Sequence, residues 1–315
     1  MMRLILGALA ICACGNSNNG IGGGDDQGDV DAATGSNTPD APTSMAKATI
    51  FTIVLENKND ESVIGSSNAP YLNSLITQGA LATNYKDTNH PSLPNYLHMI
   101  SGADQYPGIV DVDPTQFPYF PADKPNLGTQ LEAANIKWRS YQESMGTPCK
   151  LTGGNKYAPK HDPFIYFTDQ QMGANDLCAQ TNVDYGEFAT DLATNDYRYM
   201  WITPNLDDDG HDPTNDPVTG LRNADTWMSH EVPKILASDG FKNGGILFIT
   251  WDEDEGVNNE KVPMIILSPR VKQAGMTSDA DYNHSSYLAT VEDLLALPRL
   301  ATVTSTSSMM EFFKP

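Results

Sequence analysis

The chain predicts an α/β domain with a mostly parallel sheet, and three observations carry the prediction. Short, continuous apolar runs rich in β-branched residues recur at residues 48–55 (ATIFTIVL), 245–250 (GILFIT) and 262–267 (VPMIIL). Helix-period segments alternate with such strands, as in sheets covered on both faces. Acidic or amide clusters follow directly on strand ends at Glu56-Asn57, in the loop from Asp207 to Asp212, and at Asp252-Glu253. Strands of one parallel sheet deliver their carboxyl ends to one edge, so the three clusters can converge.

The elements follow in order. Residues 48–55 form the first buried strand. Asn68 reads as the cap of a helix that places Tyr71, Leu72, Leu75 and Ile76 on one face and stops at Gly79. A short strand at 82–85 leads into Asn89-His90-Pro91-Ser92-Leu93-Pro94-Asn95-Tyr96. Pro91 suits a first helical turn, where its missing N–H costs nothing. Ser92 is therefore expected at the start of a helix that runs to Gly102. Residues 103–125 are Pro- and aromatic-rich and irregular. Residues 127–134 predict a helix, 137–141 a strand, 145–182 a loop-rich stretch, 185–193 a short helix and 197–202 a strand. Asp225-Thr226-Trp227 opens a helix to Leu236, and the segment from Asp281 to Ser286 caps a last amphipathic helix through Leu295. No repeat or boundary interrupts residues 47–315, so a single domain is expected there.

Of the 315 residues, 40 are Asp or Glu against 19 Lys or Arg, a formal net charge of −21. That balance argues against nucleic acid, which needs basic surfaces. Met1-Met2-Arg3 precedes an apolar run at residues 4–13 that is too short to span a bilayer. It ends in Ile11-Cys12-Ala13-Cys14-Gly15, which resembles a bacterial lipobox. Residues 1–13 are thus expected to be a lipoprotein signal peptide, with lipid on Cys14 and a membrane surface as partner. An ordinary secretory signal is the plainer alternative, and either exports the protein to the periplasm or cell surface. Residues 14–46 read as a disordered tether, with five Asp and no basic residue between positions 15 and 46. In an exported chain, Cys149 and Cys178 suggest one disulfide that staples the loop-rich stretch.

Ser92 at a helix start would sit beside free N–H groups and the positive end of the helix dipole, a place that suits a phosphate. Carboxylates gathered near it would repel one another without a cation. A divalent metal resolves that and lowers the pKa of a coordinated serine or water. Oxygen ligands (Glu56, Asn57, Ser92, Asp252, Glu253) favour Mg²⁺, Ca²⁺ or Mn²⁺, whereas His211 and His284 would suit Zn²⁺ or another transition metal at a second site. Plainer readings stand beside these. Most serines at helix starts are caps, Asn57 suits a left-handed turn, and His161 lies in a loop. Asn205, Asp207, Asp209, Gly210 and Asp216 roughly follow a calcium-loop pattern. Pro213 interrupts that pattern and it lacks the closing Glu, so a contribution to an active site is favoured.

In this order, VLENKN, HPSLPNYLHMISG, KHDPF, ITPNLDDDGHD, FITWDEDEG and YNHSSYLATVEDLLALPRL resemble the bacterial phosphoesterase family of acid phosphatases and phospholipases C. The likeness covers roughly residues 48 to 300, and the compact length resembles secreted acid phosphatases and phosphatidylinositol-3-phosphatases. The resemblance implies an alkaline-phosphatase-like three-layer α/β/α sandwich. It implies Glu56, Asn57, Asp252 and Glu253 as metal ligands, with Ser92 as a nucleophile on the same metal. His161, His211 and His284 would be active-site histidines that stabilise the phosphoryl group or protonate the leaving oxygen. Analogy with two-metal alkaline phosphatases adds a second metal at Asp207 or Asp209, His211 and His284. His90 receives no clear catalytic part and is expected to orient the turn. Two departures add charge: Asp207-Asp208 stand where many compact relatives have cysteine and asparagine, and Asp254 and Glu255 follow Glu253. The expected function is a metal-dependent, exported acid phosphatase acting on phosphate monoesters. Phospholipase C activity on diesters and a non-catalytic, metal-binding surface lipoprotein are the rival readings. A sulfatase would need a different local motif around a modified Cys or Ser.

Overall fold

The structure, a computed structural model, describes residues 48–103, 110–116, 125–171, 173, 176–211, 216–256 and 261–314. The expected signal peptide, Cys14 and the tether lie outside the described residues, as does Asp212. The strands are β1 (Ile50–Leu55), β2 (Ala80–Ala82), β3 (Tyr85–Lys86), β4 (Trp138–Gln142), β5 (Asn182–Asp184), β6 (Tyr199–Thr203), β7 (Ile246–Trp251), β8 (Met264–Leu267), β9 (Met276–Ser278) and β10 (Tyr282–Asn283).

Eight of them form one sheet in the order β5-β4-β6-β1-β7-β8-β2-β9. Five strand pairs are parallel (β4/β5, β4/β6, β1/β6, β1/β7 and β2/β9), and β8 runs antiparallel to both β7 and β2. Every residue of β1, β6, β7 and β8 is buried. Successive side chains point to opposite faces, so both faces of the central sheet are covered. The expected mostly parallel α/β layering is therefore present, with a mixed edge that the apolar runs did not signal.

Local differences have local causes. The expected strand at 82–85 is two strands, β2 and β3, separated by a turn. β3 pairs in parallel with β10, Tyr85 opposite Tyr282, which sets the Ser92–Ser101 and His284–Leu295 segments behind one small ladder. The helix expected from Asp225 begins earlier, at Pro217, because Asp216 caps it by accepting from Val218 N–H and Pro217 occupies the first turn. Leu221, Ala224, Met228, Val232 and Ile235 are its buried stripe. Asn68 does not cap the helix Pro70–Gln78. Its Oδ1 accepts from Arg222 Nε at 3.0 Å, and Asp225 caps from across by accepting from Tyr71 and Leu72 N–H (3.2 and 2.8 Å). Asn283 and Ser286 form a capping box on the last helix. The disulfide Cys149–Cys178 joins the loop-rich stretch as expected, with Cα atoms 5.4 Å apart.

Gly102 ends the Ser92 helix at φ +66, and a Cβ there would stand 2.4 Å from Val303 Cγ1 and 2.8 Å from Thr302 Oγ1. Left-handed backbone and close approach both require glycine. Gly102→Ala is expected to cost about 2 kcal/mol or more, read as a lower urea midpoint. An unchanged midpoint would show that the segment around 302–303 yields freely.

Candidate active site

Ser92 opens the helix Ser92–Ser101 behind Pro91, which stands at the N-cap in extended backbone. Ser92, Asn95 and Tyr96 share one face at i, i+3 and i+4. The buried Ser92 hydroxyl donates to Glu253 Oε1 at 3.2 Å and accepts from Lys160 Nζ at 3.0 Å. Asn95 stitches the turn before Ser92 to the same carboxylate. Its Oδ1 accepts from Thr88 and Asn89 N–H (3.1 and 3.0 Å), and its Nδ2 donates to Glu253 Oε2 at 3.3 Å. The free-amide picture of this helix start needs one correction: Leu93 N–H already donates to Asp111 Oδ1 at 3.0 Å.

Three parallel strands end here. β1 leads to Glu56-Asn57, β6 to the loop holding Asp209, and β7 to Asp252-Glu253. Main-chain bonds fix these ends together: Glu56 N–H donates to Asp209 O at 2.7 Å, and Asp252 N–H to Leu55 O at 3.0 Å. Asn57 adopts the left-handed conformation, φ 47, that the turn reading anticipates, and its N–H points to Asp252 Oδ1 at 3.3 Å. His161 Nε2 lies 2.5 Å from Glu56 Oε1 and its Nδ1 3.9 Å from Asp209 Oδ2. The His161 ring stacks on Tyr96 with centroids 5.1 Å apart.

Asn57 Oδ1, Asp209 Oδ2 and Asp252 Oδ2 are buried without a partner in hydrogen-bond geometry, whereas Glu56 Oε1 and His161 Nε2 face each other. Leaving such groups unsatisfied costs about 1–3 kcal/mol each, more when charged. Ligand atoms of Glu56, His161 and Asp209 lie within 4.8 Å of one another. A set made mostly of carboxylate and amide oxygens fits a hard divalent cation.

The electrostatics carry the same strain. Burial pushes Asp252 well above the usual carboxylate range, and Glu56 and Glu253 push it further. Burial, then Glu56, raises Asp209. Burial lifts Glu253 to about 7, opposed by His90 and by the Ser92 hydrogen bond. Glu56 moves the other way: burial works to raise it, but His161 and Lys160 beside it hold it well below the usual range. Lys160 is raised despite its burial, by Glu56 and Asp111.

Of the expected residues, the structure gathers Glu56, Asn57, Ser92, Asp252, Glu253 and His161 in one place. His211 is half-buried on the wall of an open cavity of about 470 Å³, with Glu56, Lys156, Lys160, Leu206 and Asp207. His284 is placed differently from its expected part as ligand or proton donor. Its Nε2 donates to Asp252 O at 2.6 Å, and its Nδ1 accepts from the Tyr85 hydroxyl at 2.9 Å. Burial lowers its pKa to about 3, so it stays neutral, with Nε2 holding the Asp252 backbone and Nδ1 held by Tyr85. Asp207 forms a surface ion pair with Lys156. Asp209 faces Glu56 and His161. The second metal set of Asp207 or Asp209, His211 and His284 is therefore not assembled among the described residues. The calcium-loop residues likewise have separate jobs, with Asn205 Oδ1 accepting from Asp207 N–H and Asp216 capping a helix.

Several contacts escaped sequence reasoning. Lys160 reaches Ser92 Oγ, Asp111 Oδ2 at 2.8 Å and Glu56 Oε1 at 3.5 Å. His90 bridges Glu253 Oε2 (Nδ1, 3.0 Å) and Asp254 Oδ1 (Nε2, 2.9 Å), with Asp87 Oδ2 at 3.6 Å. The extra acids after Glu253 have partners of their own: Asp254 meets His90, and Glu255 takes a hydrogen bond from Ser62 and an ion pair from Lys58. A lysine beside His161 in KHDPF was the one available signal, and sequence spacing could not aim it.

The fold belongs to a known class. It aligns with a protein in the alkaline phosphatase superfamily from Vibrio parahaemolyticus at a TM-score of 0.59 and 11% identity, covering 85% of this chain and 70% of that one. It aligns with the lipoteichoic acid synthase LtaP from Listeria monocytogenes at 0.58 and 12%, covering 87% and 77%. Likeness at that identity shows the fold alone. The model described as the phosphoesterase family matches residues 55–298, and the chain belongs to that family. A probable acid phosphatase of Kluyveromyces lactis is 30% identical over 274 residues, 83% of this chain and 61% of that protein. A phosphatidylinositol-3-phosphatase of Mycobacterium tuberculosis is 25% identical over 264 residues, 82% of this chain and 80% of that protein. The chain therefore spans about three fifths of the yeast relative's length.

Asp162, next to His161, is wholly buried. Its Oδ1 accepts from Ser140 Oγ at 2.9 Å, its Oδ2 has no partner, and burial raises its pKa to about 7. Its folded-state pKa lies above the unfolded value, so the stability it lends at low pH is lost as pH rises from about 4 to 7. Asp162→Asn keeps the acceptor for Ser140 and removes the buried charge. Its melting-temperature advantage over the parent should grow from pH 4 to 7 and level off above. A pH-independent difference would contradict the raised pKa.

Proposed function

We propose that the protein is a metal-dependent phosphatase of acid-phosphatase type that hydrolyses phosphate monoesters through Ser92. The observation that carries this reading is the Ser92 hydroxyl, held between the Glu253 carboxylate and the Lys160 ammonium at the edge of a cluster of buried ligand atoms. Family membership and the acid phosphatase relatives support it. Ser92 is not the cap residue: Pro91 holds that position, and the Ser92 oxygen is engaged by Glu253 and Lys160 instead.

Glu56, Asn57, Asp252 and Glu253, with Ser92, would hold a divalent cation, which when bound supplies positive charge for the carboxylates and for the phosphoryl oxygens. The chain's own residues do the rest. Ser92 Oγ attacks phosphorus in line and passes its proton to Glu253 Oε1, which already accepts it. The phosphorus–oxygen bond to the leaving alcohol breaks as the serine–phosphorus bond forms. His211, on the cavity wall, protonates the departing oxygen. Water, giving its proton to His211, then attacks the phosphoserine; the serine oxygen–phosphorus bond breaks, Glu253 returns the proton to Ser92 Oγ and inorganic phosphate leaves. His284 keeps the Asp252 backbone in place, and His161, stacked on Tyr96, fixes Glu56. The disulfide supports export to an oxidising compartment. A lipid on Cys14 would then tether the enzyme to a membrane surface.

Ser92→Ala should lower phosphate release from p-nitrophenyl phosphate by at least about 1,000-fold with an unchanged circular dichroism spectrum. Retained turnover would remove Ser92 from the mechanism. Chelation should abolish activity and also lower the melting temperature by about 5 °C, restored by adding back one divalent cation. A melting temperature indifferent to chelator would contradict a resident metal.

A further inference from the structure

We propose that Lys160 makes this site select dianionic phosphate monoesters over monoanionic diesters, an inference that rests on the phosphatase reading. Lys160 Nζ stands 3.0 Å from Ser92 Oγ, and Asp111 Oδ2 anchors it at 2.8 Å. Asp111 is itself held through its other oxygen by Leu93 N–H at 3.0 Å, so the ammonium is tied to the helix that carries the nucleophile. The same lysine lines the open cavity beside Glu56 and His211.

In-line attack brings phosphorus to about 3–3.5 Å from the serine oxygen. An ammonium at 3.0 Å from that oxygen therefore reaches a non-bridging phosphoryl oxygen. Around this point lie the carboxylates of Glu56, Asp111, Asp209, Asp252 and Glu253, which together repel any phosphate. Among the described residues, Lys160 is the lysine or arginine that contacts Ser92. Coulombic attraction scales with the product of charges. A dianion, with more charge on its non-bridging oxygens, gains more from this fixed cation than a diester does. Lysine suits the task as a compact point charge with three donors.

The test uses Lys160→Met and Lys160→Arg in the full chain, with p-nitrophenyl phosphate and bis(p-nitrophenyl) phosphate, which share a leaving group. If the diester is not turned over, it serves as a competitive inhibitor. Lys160→Met should lower kcat/KM for the monoester by about 10- to 100-fold and weaken diester turnover or inhibition by a factor at least about 3-fold smaller. Lys160→Arg, which keeps the charge, should recover most of the loss. Calorimetry with inorganic phosphate should show the affinity falling in parallel. Equal losses on both esters, or no loss on the monoester, would overturn the proposal. If the parent protein hydrolyses neither ester, the phosphatase reading fails. Phosphate affinity then decides on Lys160 alone: weakening in the methionine variant supports the contact, and no change overturns it. Lys160→Gln replaces the methionine variant if that one melts abnormally low.

Discussion

Like charges driven together in a buried place are the constraint on which this structure turns. Glu56, Asp209, Asp252 and Glu253 are all almost wholly buried at the carboxyl ends of β1, β6 and β7, and parallel pairing gives those ends no other place to go. Burial and mutual repulsion push the Asp209, Asp252 and Glu253 pKa values upward, whereas Glu56 stays ionised beside Lys160 and His161. A fold does not gather such groups for stability, since each unsatisfied atom costs free energy. That strain is the physical ground for the proposed cation site beside Ser92.

Ser92 depends on that cluster for its own geometry. It is set by Asn95, and by His90 reaching over to Glu253 and Asp254. The β3–β10 ladder then brings the Ser92 helix and the His284 helix to the same edge. His284 supports the site from behind through the Asp252 carbonyl and the Tyr85 hydroxyl. His161 thus stands beside Glu56, His211 on the cavity wall and His284 behind the Asp252 backbone, three settings that a motif alone would not tell apart.

The sheet was largely legible in the chain because its central strands are continuous apolar runs, and a strand buried on both faces must be one. The strand-end acids were legible for the same reason, since the sheet's direction dictates where its carboxyl ends go. Side-chain destinations were less so. Nothing in the local spacing tells Asp207 from Asp209, yet one turns to Lys156 at the surface and the other to Glu56. The resemblance marked His284 as part of the site, but its two nitrogens are claimed by groups 199 and 32 positions away along the chain. Lys160 meets Ser92, and Asp111 meets Lys160 and Leu93, across loops whose paths depend on tertiary packing. Such contacts have no periodic signature, and the helix cap supplied by Asp225 escaped for the same reason.

The central claim is that Ser92 carries the phosphoryl group. Its most direct test is rapid acid quenching of the enzyme during turnover of a ³²P-labelled monoester, followed by peptide mapping. The account predicts phosphoserine at Ser92, approaching one label per chain as substrate saturates, in the peptide containing HPSLPNY. Turnover without covalent label, or label on any other residue, would contradict it.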